Sequence, residues 1–246
     1  MTAFADNFDG PALDLAVWSP YYLPQWSSRA ASAATYQLAD SCLTLSIPVE
    51  QDLWCAGDHH PDLRVSGVQS GNYSGPVGST VGQQPYRDGL LVQEEQEPFW
   101  GLTPDSGYVE LRARADIAPG SMVSLWMVGL EDQPDRCGEI CVMEVFGDAL
   151  APGSTAVGMG LKTIRDPAVP QDFEAVRLPI DVREFHTYAV EWSAGTATFS
   201  VDGAAIRSCP GAPTYPLQLM LAVFDFPEQS GRSHVASFVV DHIRVR

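Results

Sequence analysis

Prolines and glycines divide this chain into short apolar runs, and that punctuation constrains the fold more than any other feature. The 246 residues include 19 prolines and 21 glycines, and no window carries apolar residues at the 3.6-residue spacing of an amphipathic helix. Short apolar and β-branched runs between turn residues are typical of strands. We therefore expect an all-β protein of two packed antiparallel sheets, as in a sandwich or jelly roll. The predicted strands are Thr35 to Ile47, Gly107 to Ala115, Met122 to Val128, Glu139 to Val145, Val157 to Ile164, Phe185 to Trp192, Thr196 to Val201, Leu217 to Phe224 and Ser237 to Val245.

One predicted strand carries two acids among apolar and β-branched residues. It lies within Cys137 to Gly147, which reads C-G-E-I-C-V-M-E-V-F-G. Residues of a regular strand alternate between its two faces, so Glu139 and Glu144, five positions apart, would point to opposite sides. One β-bulge inserts an extra residue and would bring Glu139, Cys141 and Glu144 to the same face.

A shared face would suit the two acids to chemistry on sugars. Their Cα atoms would lie roughly 13 Å apart along the strand. Side chains that lean together can approach the separation of about 5 to 5.5 Å that retaining glycoside hydrolysis requires. The alternative is a pair of solvated acids on a strand with one wet face, which is common in antiparallel sheets. The spacing alone leaves both interpretations open.

The charge balance excludes some classes of partner. The formal net charge is -17, and Lys162 is the single lysine among 14 basic residues. Such an acidic surface repels phosphate backbones, so we expect no nucleic-acid partner. No apolar run approaches the roughly 18 residues that span a bilayer, so we expect no membrane partner. The length suits one large all-β domain, and we expect residues 1–246 to form a single domain and a monomer.

The amino terminus and the cysteines bear on the compartment. No basic region followed by an apolar core is visible near Met1, so the chain as it stands is expected to be cytoplasmic, or secreted after removal of a signal. Five cysteines without a C-x-x-C pair argue against a zinc site or a full disulfide framework. A bond between Cys42 and Cys55 would require an oxidising compartment.

Several segments resemble one family of carbohydrate-active enzymes. The stretch E-I-C-V-M-E from Glu139, with W-M at Trp126 before it, resembles the E-I-D-I-M-E signature of the laminarinase-like branch of glycoside hydrolase family sixteen. F-A-D-N-F-D-G from Phe4 and F-H-T-Y-A-V-E-W from Phe185 are similar to further segments of that family. The resemblance implies a jelly-roll β-sandwich with a concave substrate groove. It also implies a retaining endo-type hydrolase of a β-linked polysaccharide, for which we expect a β-1,3- or mixed-linkage glucan.

The resemblance assigns roles to the two acids. Glu139 is expected to be the nucleophile, and Glu144 the acid that protonates the departing oxygen and later activates water. The family has an Asp where this chain has Cys141, and a thiol is a weak donor with little charge at neutral pH. We therefore expect a weak hydrolase or one with a shifted pH dependence. Replacing Cys141 by Asp is expected to raise its activity.

The resemblance also suggests which aromatic residues face the sugar. We expect Trp126 and Trp192 to line the groove, with Trp192 as the floor of the subsite at the chemistry. Packing in the core is the competing role for each tryptophan. Another tryptophan, Trp100, is also expected to bind substrate.

The stretch from Leu53 to Gln96 is a long irregular insert, and loops of this length inside a compact domain are usually functional. We expect its Trp54 and His59 to line the substrate groove. A metal site at His59 and His60 is disfavoured, because adjacent side chains point to opposite sides of an extended chain.

A structural metal is a further expectation from the resemblance. Relatives can hold calcium on the convex sheet, using the amino-terminal segment and an acid of the final strand, which Asn7 and Asp241 would match here. Calcium prefers several oxygen ligands, and an amide in place of an acid weakens the site. A surface turn held by Asx hydrogen bonds is the alternative. No cofactor is required for the expected chemistry.

Two other functions compete with hydrolysis. The same groove in a non-catalytic carbohydrate-binding jelly roll would hold sugar without cleaving it, and Cys141 would then mark lost chemistry. In a purely structural interaction module, the tryptophans would be core residues and the two acids would be solvated. Turnover of a polysaccharide that disappears in Glu139→Ala separates the first function from the others.

Overall fold

The computed structural model describes residues 3–193, 195–231 and 234–246, and within them the chain consists mainly of strands and turns. The strands, in chain order, are β1 (Phe4–Asp6), β2 (Tyr36–Ala39), β3 (Cys42–Ser46), β4 (Arg64–Gln69), β5 (Gly71–Asn72), β6 (Phe99–Trp100), β7 (Gly107–Asp116), β8 (Ser121–Gly129), β9 (Glu139–Phe146), β10 (Leu150–Ala151), β11 (Ser154–Lys162), β12 (Asp172–Leu178), β13 (His186–Ser193), β14 (Thr196–Val201), β15 (Ala204–Pro210), β16 (Leu217–Asp225) and β17 (Ser237–Val245). The connections contain the short helices α1 (Arg29–Ser32) and α2 (Pro227–Ser230) and 3-10 turns at Pro24–Trp26 and Gly147–Ala149. No helix among the described residues has the length and apolar character needed to cross a bilayer.

The strands form two large antiparallel sheets. The front sheet has the order β10-β11-β9-β8-β16-β4, with β12 paired to β11. The back sheet has the order β15-β14-β13-β7-β17-β3-β2, with β1 paired to β17. Strands β5 and β6 make a separate two-stranded ribbon. The predicted all-β sandwich is confirmed, and central neighbours such as β8 and β16 are far apart in sequence.

The main core lies between the two sheets and follows from the alternation of side chains along each strand. In β8, Val123, Leu125 and Met127 are buried in this core, while the residues between them face the other side of the sheet. The back sheet contributes large side chains such as Trp192 and Phe199. Burying a side chain as large as Phe199 contributes about 1.5–3 kcal/mol, so this interface dominates the stability of the sandwich.

A second apolar cluster covers part of the outer face of the front sheet. It joins outward-facing residues of β8 and β16 to side chains of the segment before β2 and of the insert. Its buried members are Leu23, Trp26, Trp54, Cys55, Leu63, Val65, Leu90, Val92, Trp126, Val128, Met220, Ala222 and Phe224. The front sheet is therefore apolar on both faces over much of its area.

The insert is less irregular than its sequence indicated. Strand β4, which is buried along its whole length, lies inside the predicted insert Leu53 to Gln96 and pairs with β16. Its sequence R-V-S-G-V-Q lacks the alternation of a half-buried strand, because the main core covers one face and the second cluster covers the other.

Most of the predicted strands are present with small changes in their bounds. The predicted strand Ser237 to Val245 coincides with β17. The predicted strand Thr35 to Ile47 is a hairpin, because Asp40 and Ser41 have φ angles of 53° and 55° and reverse the chain between β2 and β3. Strands β12 and β15 were not predicted; both include a run of exposed residues and lack a strong apolar pattern.

All five cysteines are free thiols in the structure. Cys42 lies in the back sheet, whereas Cys55 belongs to the cluster on the outer face of the front sheet. The bond that we considered between them is therefore absent.

Candidate active site

The predicted bulge is present in β9. Leu125 pairs with Met143 and Trp126 pairs with Cys141, so Val142 has no partner on β8. The register against β11 shifts at the same place. The extra residue brings Glu139, Cys141 and Glu144 to the outer face of the front sheet, as the odd spacing required.

A small cleft opens above the two acids on that outer face. Its volume is about 150 Å³, below the roughly 300–1,000 Å³ of typical ligand pockets. Strands β8, β9, β11 and β16 supply most of its walls, and the insert supplies one residue. The lining residues are Gln84, Met122, Ser124, Trp126, Glu139, Glu144, Lys162 and Phe224.

The two acids share one cation. The Lys162 Nζ atom lies 3.0 Å from Glu139 Oε1 and 3.1 Å from Glu144 Oε2. Because both oxygens contact the same nitrogen, they are at most about 6 Å apart. This limit lies below the roughly 6.5–9.5 Å of inverting glycosidases and admits the roughly 5–5.5 Å of retaining ones.

Burial and charge act in opposite directions on these groups. Burial raises the pKa of Glu139, the nearby Glu144 raises it further, and the Lys162 ammonium offsets part of the increase. For Lys162, burial alone would lower the pKa, but the neighbouring carboxylates of Glu139 and Glu144 raise it above its ordinary value. Lys162 is therefore a permanent cation in the cleft at ordinary pH.

The central residue of the motif contributes no charge. Cys141 is fully buried beneath the acids, and its Sγ atom lies 4.0 Å from the carbonyl oxygen of Gly158. Burial raises the pKa of the Cys141 thiol well above its ordinary value. The thiol is neutral at ordinary pH, and Lys162 is the charged group between the two glutamates.

The two tryptophans expected in the groove lie on different sheets. Trp126 lines the cleft, and its Nε1–H donates to Gln84 Oε1 at 3.3 Å. Trp192 is 1% exposed in the core between the sheets, on β13 of the back sheet. The expectation that Trp192 floors the sugar subsite is wrong, because the register of β13 turns its ring inward.

Trp54 and His59 form an aromatic group within the insert and do not line the cleft. The Trp54 ring is 5.1 Å from Tyr22, and the His59 ring is 5.3 Å from Trp54 and 4.8 Å from Tyr86, measured between centroids. Trp54 is 3% exposed and packs in the cover of the front sheet, whereas His59 is half-buried beside it. Contact of these two residues with substrate stays a prediction.

Trp100 also lies away from the acids. It is 44% exposed on the short strand β6, whose neighbour Phe99 lines a separate cavity of about 310 Å³ together with Tyr21 and Arg29. Trp100 does not line the cleft that holds Glu139, because β6 pairs with β5 and not with the front sheet. Contact of its exposed ring with substrate stays a prediction.

The residues expected to bind calcium do not fit such an ion. The Asp241 carboxylate lies 3.2 Å from Arg112 and 2.7 Å from His242 Nδ1, so its charge is already balanced. Asn7 is exposed, and the neighbouring Asp6 accepts hydrogen bonds from Phe8 N and from the indole of Trp18. Among the described residues no group of three or more His, Cys, Asp or Glu is arranged to hold a metal.

The predicted site lacked five lining residues of the cleft, namely Gln84, Met122, Ser124, Lys162 and Phe224. Two of these, Lys162 and Gln84, hydrogen-bond to predicted site residues. Lys162 carried a signal, since it is the single lysine of an acidic chain and ends a predicted strand. Gln84 carried none: its φ of 46° and a 2.6 Å hydrogen bond from its N–H to Glu131 Oε1 fix a loop that brings its amide over Trp126.

Known structures share this architecture. The GlcNAcα1-4Gal releasing endo-β-galactosidase from Clostridium perfringens superposes with a TM-score of 0.80 at 24% identity, over 98% of this chain and 61% of that one. The laminarinase from Flavobacterium sp. UMI-01 gives a TM-score of 0.65 at 18% identity, over 98% of both chains. A prokaryotic β-1,3-1,4-glucanase (lichenase) derived from a mouse hindgut metagenome gives 0.66 at 16% identity, over 100% of this chain and 99% of that one.

These similarities establish the jelly-roll fold, and this chain spans less than two thirds of the endo-β-galactosidase. No curated protein sequence matches the chain. The profile of the family described as Glycosyl hydrolases family 16 matches residues 104–230, which are more than half of the chain and include both acids and Lys162. With the bulged strand, the paired acids and the sandwich that carries them, this match shows that the protein belongs to glycoside hydrolase family 16.

Proposed function

We propose that the protein is a retaining endo-glycosidase that cleaves a β-linked polysaccharide. The observation that carries the proposal is the pair of carboxylates on one face of β9, at most about 6 Å apart and both lining a cleft. That geometry suits a double displacement, in which a nucleophile and an acid flank one glycosidic bond.

In the proposed reaction, the two glutamates act in turn. Glu139 attacks the anomeric carbon and forms an ester with the sugar, while the glycosidic bond breaks and Glu144 gives its proton to the departing oxygen. Water then attacks the anomeric carbon and releases Glu139 as a carboxylate, and Glu144 takes the proton of that water. Trp126 and Phe224 form apolar walls on which a sugar ring can pack.

We propose a β-1,3- or mixed-linkage glucan as the substrate. The support is the resemblance of the E-I-C-V-M-E stretch to laminarinase-like enzymes, together with the fold shared with a laminarinase and a lichenase. The endo-β-galactosidase shares the fold as well, so a galactan is the competing substrate.

A specific observation favours a second function, binding of a glycan without cleavage. Lys162 pairs with both acids, and the cleft is smaller than typical ligand pockets. An ammonium that holds both carboxylates ionised would leave no group to protonate the departing oxygen. The protein would then retain a sugar-sized site without turnover.

The experiment is a screen of laminarin, lichenan, galactan and xyloglucan with wild type and Glu139→Ala, measuring release of reducing ends. Glu191→Ala, which removes an exposed acid of the back sheet, is the matched control. We expect turnover of a β-glucan in wild type and in the control, at least 1,000-fold slower turnover in Glu139→Ala, and a first product that retains the β configuration. Binding without turnover selects the second function, and an inverted product contradicts the double displacement.

A further inference from the structure

Lys162 is placed to act on both acids at once. It ends β11 and pairs in register with Glu139 on β9, so its side chain points to the same outer face. Its ammonium contacts both carboxylates and lies 4.6 Å from the centre of the Phe173 ring. The side chain is 24% exposed, which makes the ion pairs less screened than those at a surface.

The charge count of the site depends on this residue. The family resemblance implies a third acid at position 141, where this chain has a buried neutral thiol. With two carboxylates and one ammonium, the cluster is neutral when one carboxylate is protonated. A double displacement starts from that state, with an ionised nucleophile and a protonated acid. Buried sites disfavour net charge, so the ammonium favours the state that the reaction needs.

The other titratable groups near Glu139 supply no opposing charge. Cys141 lies beside it on β9, and Tyr22 approaches from the segment before β2. Burial raises the pKa of both side chains, so both are neutral at ordinary pH. Among the described residues that line the cleft, Lys162 is the only cation.

We propose that Lys162 is a positioning residue that holds Glu139 and Glu144 in the cleft and selects the singly protonated state of the pair. It thereby replaces the missing acid at position 141 as the group that sets the orientation and charge of the nucleophile. The inference rests on the proposed function. Once Glu139 becomes an ester, Lys162 keeps its contact with Glu144 and stabilises the carboxylate that must then accept a proton from water.

The test compares Lys162→Met and Lys162→Arg with wild type. The first variant removes the charge from a side chain of similar length, and the second retains it. Infrared absorption of protonated carboxyl groups is followed against pH, and Glu139→Gln and Glu144→Gln in each background assign the bands. We expect the titration of the carboxyl pair in Lys162→Met to move about one to three pH units upward, with Lys162→Arg close to wild type. The profile of kcat/KM against pH is expected to move in the same direction.

The outcomes separate this inference from the proposed function, because the infrared titration needs no turnover. An upward shift in a protein that cleaves no glycan supports the role of Lys162 and contradicts hydrolysis. A carboxyl titration that stays unchanged in Lys162→Met overturns the role of Lys162, even if wild type is active. Wild type provides a test that does not depend on folding of a variant: we expect two separate protonation steps for the pair, and a single joint step overturns the proposal.

Discussion

The outer faces of the two sheets carry similar charged groups in different surroundings. On the back sheet, Glu110 lies 3.2 Å from both His242 Nε2 and Arg244, and its side chain is 15% exposed. On the front sheet, Glu139 lies 3.0 Å from Lys162 in a largely covered cleft. Each glutamate thus has a basic partner at nearly the same distance.

The pKa values of these two glutamates move in opposite directions. Burial alone would raise the pKa of Glu110, but hydrogen bonds from Tyr108 and His242 outweigh it and hold that pKa below the ordinary value. The pKa of Glu139 is raised, because burial and Glu144 outweigh the help from Lys162. The comparison teaches that an ion pair at 3 Å indicates a structural or a chemical role only when the burial around it is known.

The largest expected effects come from two tryptophans, one in the core between the sheets and one at the cleft on the front sheet. Trp192 fills the core between the sheets, so Trp192→Ala is expected to lower the free energy of unfolding by about 4 kcal/mol without changing KM of the folded enzyme. Trp126→Ala should also lower the free energy of unfolding, but in contrast to Trp192→Ala it should raise KM, because Trp126 lines the cleft. Denaturant unfolding and steady-state kinetics of both variants are the measurements.

Trp192→Phe is the control for the core variant. It keeps most of the apolar ring and removes an indole N–H for which the described residues offer no acceptor, so we expect a loss below about 1.5 kcal/mol. A rise in KM for Trp192→Ala at temperatures where the variant stays folded would contradict the assignment of the two rings.

Substitution of the two glutamates is expected to change the free energy of unfolding by smaller amounts and in opposite directions. Glu110→Gln is expected to lower the free energy of unfolding at pH 7 by about 1.5 kcal/mol, since charged hydrogen bonds are lost. Glu139→Gln should raise it by about 1 kcal/mol, because a neutral amide replaces a carboxylate whose ionisation the fold opposes. Denaturant unfolding at pH 7 measures both differences.

The pH dependence of these two differences follows from the directions of the pKa values. The folded-state pKa of Glu110 is lowered, so its stabilisation is present above the ordinary pKa of 4.5 and is lost as pH falls through the folded value. The folded-state pKa of Glu139 is raised, so ionisation of this group lowers the stability of the fold. This destabilisation is absent below pH 4.5 and is complete above the folded-state pKa. Both variants should therefore approach wild type in acid. A Glu139→Gln protein less stable than wild type at pH 7 would contradict this contrast.

Cys141→Asp gives the smallest expected effect. A carboxylate beneath the two glutamates can accept a hydrogen bond from Lys162 and help to orient Glu139, so we expect kcat/KM to rise a few-fold, worth less than about 1.4 kcal/mol of barrier. Cys141→Ser, which adds polarity without charge, is the matched control. The measurement is steady-state kinetics on the glucan that wild type cleaves fastest. An unchanged or lower kcat/KM for Cys141→Asp would contradict the expectation that an acid at position 141 supports Glu139.

The sequence pattern predicted some features of the structure better than others. A bulge in β9 was one of two hypotheses from the odd spacing, because residues five positions apart cannot share a face in a regular strand. Its place at Val142 came from the structure. The place of Trp192 did not follow, because the motif around a tryptophan does not say which face of its strand meets the other sheet. Strand β4 was missed because it is covered on both faces and so lacks alternation, and because its partner strand β16 is distant in sequence.

The sequence by itself determined the all-β class and the family signature, because turn residues and strand alternation act over a few positions. The shared face of Glu139 and Glu144 also depends on the bulge, which the pairing of β9 with β8 shows. Only the tertiary structure decided that Lys162 lies between these acids, that the insert covers the front sheet beside them and that Trp192 belongs to the core. Those outcomes depend on which strands become neighbours and which loops fold over them. Such contacts are set by the packing of the whole sandwich, and no local pattern records them.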